Sequence, residues 1–139
     1  MKIASSFSPL ILQHYMLIKK WGSELEFLKI ETSFLHRLLD EYFIRLMNSY
    51  LADDLKMSGE RLLKLEKELS RTDAVMMRQF KEMKWIATNI IKENKNRIIE
   101  ARREIGYQMA QVTLEFRAIR KDIFKLVEAQ KHQDRLLVG

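Results

Sequence analysis

The chain has 139 residues, no cysteine, one proline and four glycines, with 47% apolar and 32% charged residues. So few turn formers exclude an all-β protein, and the lack of cysteine excludes disulfides, thiolate metal sites and a cysteine nucleophile. The net charge of +6 belongs to the second half: residues 1–76 carry 11 basic and 11 acidic side chains, residues 77–139 carry 14 and 8.

Met1 to Phe7 reads as a short leader. Its serines interrupt any apolar run, so it does not have the form of a signal peptide. Ser8-Pro9 opens a helix well, since serine caps free amides and proline suits the first helical position. Leu10 to Ile18 is apolar almost all round, and such a segment needs covering. It is too short to span a bilayer. A buried helix explains it more simply than a lipid interface. Lys19-Lys20-Trp21 closes this N-terminal helix over 8–21, with Gly22 as the expected stop.

Ser23-Glu24-Leu25-Glu26 has the form of a capping box. It predicts a first long helix over 23–57, either separate from the N-terminal segment or fused to it. Trp21, Leu25, Leu28, Thr32, Leu35, Leu39, Tyr42 and Leu46 form one seam at steps of three and four. Phe27, Phe34 and Leu38 form a second apolar stripe. A helix apolar on two sides is packed on two sides. The Glu41–Arg45 spacing predicts an ion pair on the outer face.

Asp53 to Glu60 is the expected first reversal, with Ser58-Gly59 the breaker. The next helix is predicted over 60–93, continuous through Ser70 to Asp73. Its seam runs Leu62, Leu65, Leu69, Thr72, Met76, Phe80, Met83, Ala87 and Ile90. The polar insert Glu93 to Asn96 either folds the chain back or only interrupts one rod from Glu60 to Leu136, in which case the bundle is intermolecular. The last helix is predicted over 97–136, with Ile98, Ala101, Ile105, Met109, Val112, Phe116, Ile119, Ile123 and Leu126 inward. The fold expected is one all-α domain: an antiparallel bundle of three long helices with coiled-coil-like packing, and a short N-terminal helix docked on it or fused to the first.

Motifs of chemistry are scarce. The residues three before His14, His36 and His132 are Ile11, Ser33 and Ala129, so the Glu-x-x-His pairs of di-iron bundles are missing. Adjacent carboxylates such as Asp40-Glu41 and Asp53-Asp54 point to different sides of a helix and do not converge. There is no nucleophile elbow and no phosphate-cradling glycine loop. No catalytic residue, metal ligand or cofactor is nominated, and neither a small-molecule substrate nor a membrane partner is expected.

Two surfaces are nominated instead. Phe27, Phe34, Leu38 and Trp85 are the expected self-association residues, because large outward apolar side chains anchor interfaces. They predict a scaffold whose partner is a second copy or another helical protein; the lack of a catalytic constellation makes it non-enzymatic, and the lack of cysteine fits the cytoplasm. The alternative is a nucleic-acid face. Trp85 points away from its helix's seam among Arg78, Lys81 and Lys92, and could stack on a base while the cations hold phosphates. The basic flank of the last helix, with Arg103, Arg117, Arg120 and Lys121, would extend it. Glu100, Glu104, Glu115 and Asp122 are expected on the opposite flank.

Overall fold

A computed structural model describes residues 8–138. The expected leader over 1–7 lies outside them. The described residues form three helices packed against one another, α1 (Pro9–Met47), α2 (Ala52–Ala87) and α3 (Lys95–Val138), and include no strand.

The start of α1 follows its sequence. The Ile11 amide donates to Ser8 Oγ at 3.2 Å, and the Leu12 amide donates to the Ser8 carbonyl at 2.9 Å. The helix then passes through Gly22 without a stop, so there are three helices and not four. Ser23 does not cap anything. Its hydroxyl donates back to the Lys19 carbonyl at 3.3 Å, as serine does inside a helix. A glycine costs a helix about 1 kcal/mol. Burial of Ile18 and Leu25 on either side outweighs that. A Cβ added at Gly22 would meet no atom within 4 Å. Gly22→Ala is therefore expected to stabilise the protein by about 0.5–1 kcal/mol, read as a higher urea midpoint at unchanged slope. A lower midpoint would contradict an unbroken α1.

The first reversal comes earlier than expected. It occupies 48–51, and Ser58-Gly59 lies inside α2 with Ser58 buried. Two local effects decide this. Ser49 Oγ donates to the Leu46 carbonyl at 2.9 Å and accepts from the Leu51 amide at 3.1 Å. Asp53 and Asp54 then fall in the first turn of α2, where the helix dipole favours negative charge. The breaker pair is overruled because Leu55, Leu62 and Leu65 are buried around it.

The second reversal also starts early. Helix α2 ends at Ala87, not at Glu93. Asn89 takes φ 61°, and the Ile90 amide donates to the Trp85 carbonyl at 2.8 Å while the Asn89 amide donates to that of Ile86 at 3.1 Å. This is the Schellman closure, with asparagine in the left-handed position. It removes Ile90 from the seam and leaves it exposed. Asn94 then caps α3: its Oδ1 accepts from the amides of Asn96 and Arg97 at 3.1 and 3.2 Å.

The chain forms two compact units, and each helix contributes a segment to both: unit 1 is Met1–Phe27 with Leu69–Gln111, unit 2 is Leu28–Glu68 with Val112–Gly139. In unit 1 the core holds Ile11, Ile18, Leu25, Met76 and Ile105. The Trp21 ring packs against Gly106, where an added Cβ would lie 3.3 Å from it. Tyr15 meets Phe80 edge-on, with centroids 6.0 Å apart. Arg97 of α3 pairs with Glu82 of α2 at 2.7 Å. In unit 2 the core holds Leu35, Leu46, Leu62, Leu65, Ile119 and Ile123.

Candidate functional site

The buried residues of α1 recur at steps of three and four, and a second set repeats the same steps on the opposite side. In unit 2 that outward face carries Ile30, Phe34 and Ile44, which are 60%, 44% and 74% exposed. Arg37 and Glu41 lie between Phe34 and Ile44 on the same face, and neither makes an ion pair among the described residues. Leu38 is only half-buried and sits at the edge of this face. In unit 1 the outward residues of α1 include Met16 and Phe27, both exposed. The sequence singles out Phe27 and Phe34 and not Ile30 and Ile44, and all four are exposed. The signal was available: the steps from Phe27 to Ile30, Phe34, Arg37, Glu41 and Ile44 alternate three and four. The charged pair hid Ile44, whereas Ile30 continues the stripe between Phe27 and Phe34.

The expected Glu41–Arg45 pair does not form. Arg45 Nη1 donates to Asp134 Oδ2 at 2.9 Å instead, and its guanidinium lies 4.3 Å from the centroid of the Tyr42 ring. A carboxylate on another helix, backed by a ring, gives the guanidinium both a hydrogen bond and a stacking face.

Unit 2 also has an open groove of about 300 Å³ between α1 and α2. Phe43, Met47 and Leu63 line it over Leu39 and Leu55, and Gly59 widens it by lacking a side chain. His36 Nδ1 lies 2.7 Å from Glu66 Oε1 beside it. His36 is thus engaged with a carboxylate.

The basic candidates are divided between the units. Arg78, Lys81, Lys92 and Arg103 belong to unit 1, with Trp85; Arg117, Arg120 and Lys121 belong to unit 2. Trp85 is 43% exposed, and Arg78 and Lys81 are exposed on the same outward face of α2. Lys92 is not on that helix face. The Schellman closure puts it in the connection to α3. Arg117 and Lys121 face outward on α3, while Arg120 lies over the Phe124 ring at 5.4 Å. The acidic flank of α3 is partly neutralised from α2. Arg61 reaches Asp122 at 2.6 Å and Glu115 at 3.2 Å, and the bond to Asp122 chiefly raises its pKa. That clamp joins residues far apart in sequence and has no local signature.

His14, which lacks a glutamate three residues before it, is nonetheless a buried polar group. It is fully buried in unit 1, with Nε2 3.2 Å from Gln79 Oε1 and Nδ1 without a partner. Burial pushes the imidazole below its usual 6.5; the bond to Gln79 opposes this, the charge of Arg102 adds to it, and that of Glu82 opposes it. A second proton would create a buried N–H with no acceptor. The unfolded chain binds that proton more tightly than the folded one. Stability is therefore fully present above about pH 6.5 and falls as pH drops below it. Comparing urea midpoints at about pH 7.5 and about pH 5.5 checks this, and His14→Gln is expected to flatten that part of the profile. An unchanged slope would show that other groups set it.

Among the described residues no cluster of His, Cys, Asp or Glu could hold a metal ion, and no helix is long and apolar enough to cross a membrane. Comparison with protein families, with curated proteins and with solved structures finds no match.

Proposed function

We propose that the protein is a non-enzymatic helical scaffold that self-associates. One observation carries this reading: Ile30, Phe34 and Ile44 stand exposed on the face of α1 opposite its buried seam. Large apolar side chains repeating along one outward helix face mark an association surface. Within each unit we read the three helices as successive antiparallel neighbours with coiled-coil-like packing. The short connections at 48–51 and 88–94 and the three–four spacing of buried residues support this. The absence of cysteine suits a reducing compartment, and we place the protein in the cytoplasm.

Light scattering on a sizing column tests the proposal. A dimer that persists at high salt is expected, because apolar burial is not screened.

A second reading is nucleic-acid binding through the face around Trp85. The exposed indole beside Arg78 and Lys81 favours it. It predicts that labelled single-stranded RNA or DNA shifts at low salt, that the shift falls steeply as salt rises, and that Trp85→Ala weakens it about tenfold. No shift at low salt would remove this reading.

A further inference from the structure

The outward face of α1 in unit 2 has an order that singles out its occupant. From Phe34 the residues on it are Phe34, Arg37, Glu41 and Ile44, at steps of three, four and three. Apolar groups stand at the ends, with Ile30 one turn before Phe34 extending the first, and opposite charges stand in the middle. The two charges are exposed and form no ion pair among the described residues. A covering helix must therefore bring apolar groups to both ends and, in the middle, a carboxylate for Arg37 and a cation for Glu41.

Read backwards, the same segment supplies this: Ile44, Glu41, Arg37, Phe34. We infer that the occupant is a second copy of this face, laid antiparallel about a two-fold axis at the level of Leu39. Phe34 then packs on Ile44 of the second copy, and Arg37 meets Glu41 of the second copy. Both pairs are symmetric about position 39, so the axis generates each pair twice. A two-fold interface is isologous and requires this reciprocity. Parallel pairing in register would set Arg37 on Arg37 and Glu41 on Glu41, and like charges facing each other disfavour it. Seams spaced by three and four interlock in either direction, so the charges choose the orientation.

This inference rests on the self-association proposed above, and the experiment separates the two. Dimer dissociation is measured by sedimentation equilibrium for the natural chain, Arg37→Glu, Glu41→Arg and the double variant carrying both. Each single change sets like charges against each other twice across the axis. Each is expected to weaken the dimer by about tenfold. The double variant restores opposite charges in the antiparallel pair and is expected to return to within about threefold of the natural chain. Helical circular dichroism should be the same in all four, since both side chains are exposed. A natural chain that dimerises while all variants dissociate alike would overturn the antiparallel register and leave self-association standing. Two weakened single variants with a double variant weaker still would also overturn it. A natural chain that stays monomeric into the millimolar range would overturn both.

Discussion

Phe34→Asp is expected to abolish dimerisation and leave the fold intact. The side chain points away from the core and is 44% exposed in the chain alone. Exposed substitutions of this kind change folding stability by about 0.5 kcal/mol or less. In the proposed interface the same position is covered by apolar groups. A carboxylate placed there loses water against Ile44 of the second copy, and Arg37, three residues on, is already met by Glu41 of the second copy, so the change costs several kcal/mol. About 3 kcal/mol corresponds to a dissociation constant raised by more than about a hundredfold. Sedimentation should show monomer at concentrations where the natural chain is dimeric, with an unchanged urea midpoint of the monomer. A Phe34→Asp protein that still dimerises would move the interface elsewhere, with the Phe43–Met47–Leu63 groove the next apolar surface of unit 2.

The neighbouring residue behaves oppositely. Leu35 is 1% exposed within unit 2. Leu35→Ala is expected to destabilise the fold by about 2–5 kcal/mol, the range for a buried leucine whose cavity closes incompletely. That is a large share of the roughly 5–15 kcal/mol that holds a domain together. The urea midpoint reports it. Positions 34 and 35 thus separate association from folding across one peptide bond. An effect at Leu35 no larger than at Phe34 would mean that the inward and outward faces of α1 have been interchanged.

The helices were legible because burial dictates a period. Trp21, Leu25, Leu28, Thr32, Leu35, Leu39, Tyr42 and Leu46 were readable as one seam, and all are buried except Trp21, which is half-buried. The breaks were not legible, because a breaker's local preference is weak beside tertiary packing. Gly22 and Ser58-Gly59 sit inside helices since the buried residues on either side of them outweigh about 1 kcal/mol of propensity. The true ends depend on capping by single residues. Ser49 bonds to Leu46 and Leu51, and Asn89 adopts the left-handed conformation. Either residue type also occurs within helices, so its presence alone marks no end.

The exposure of the candidate residues was partly legible. The outward direction of Trp85 follows from its angle to Met76 and Met83, and the residue is exposed. Phe27 and Phe34 are exposed for the same reason. Ile44 was missed because Arg37 and Glu41 interrupt the apolar pattern before it, whereas Ile30 continues the stripe between Phe27 and Phe34 and was readable. Long-range pairings were beyond reach. Neither the Arg61 clamp on Glu115 and Asp122 nor the burial of His14 against Gln79 leaves a mark within one helix turn. Lys92 was assigned to a helix face only because the closure at Asn89 was not foreseen.

The most direct test of the central claim is the mass of the natural chain by light scattering across micromolar to millimolar concentration, at low and high salt. Self-association through the outward face of α1 predicts twice the 16.7 kDa chain mass, approached as concentration rises and retained at high salt. A single-chain mass throughout that range would contradict it.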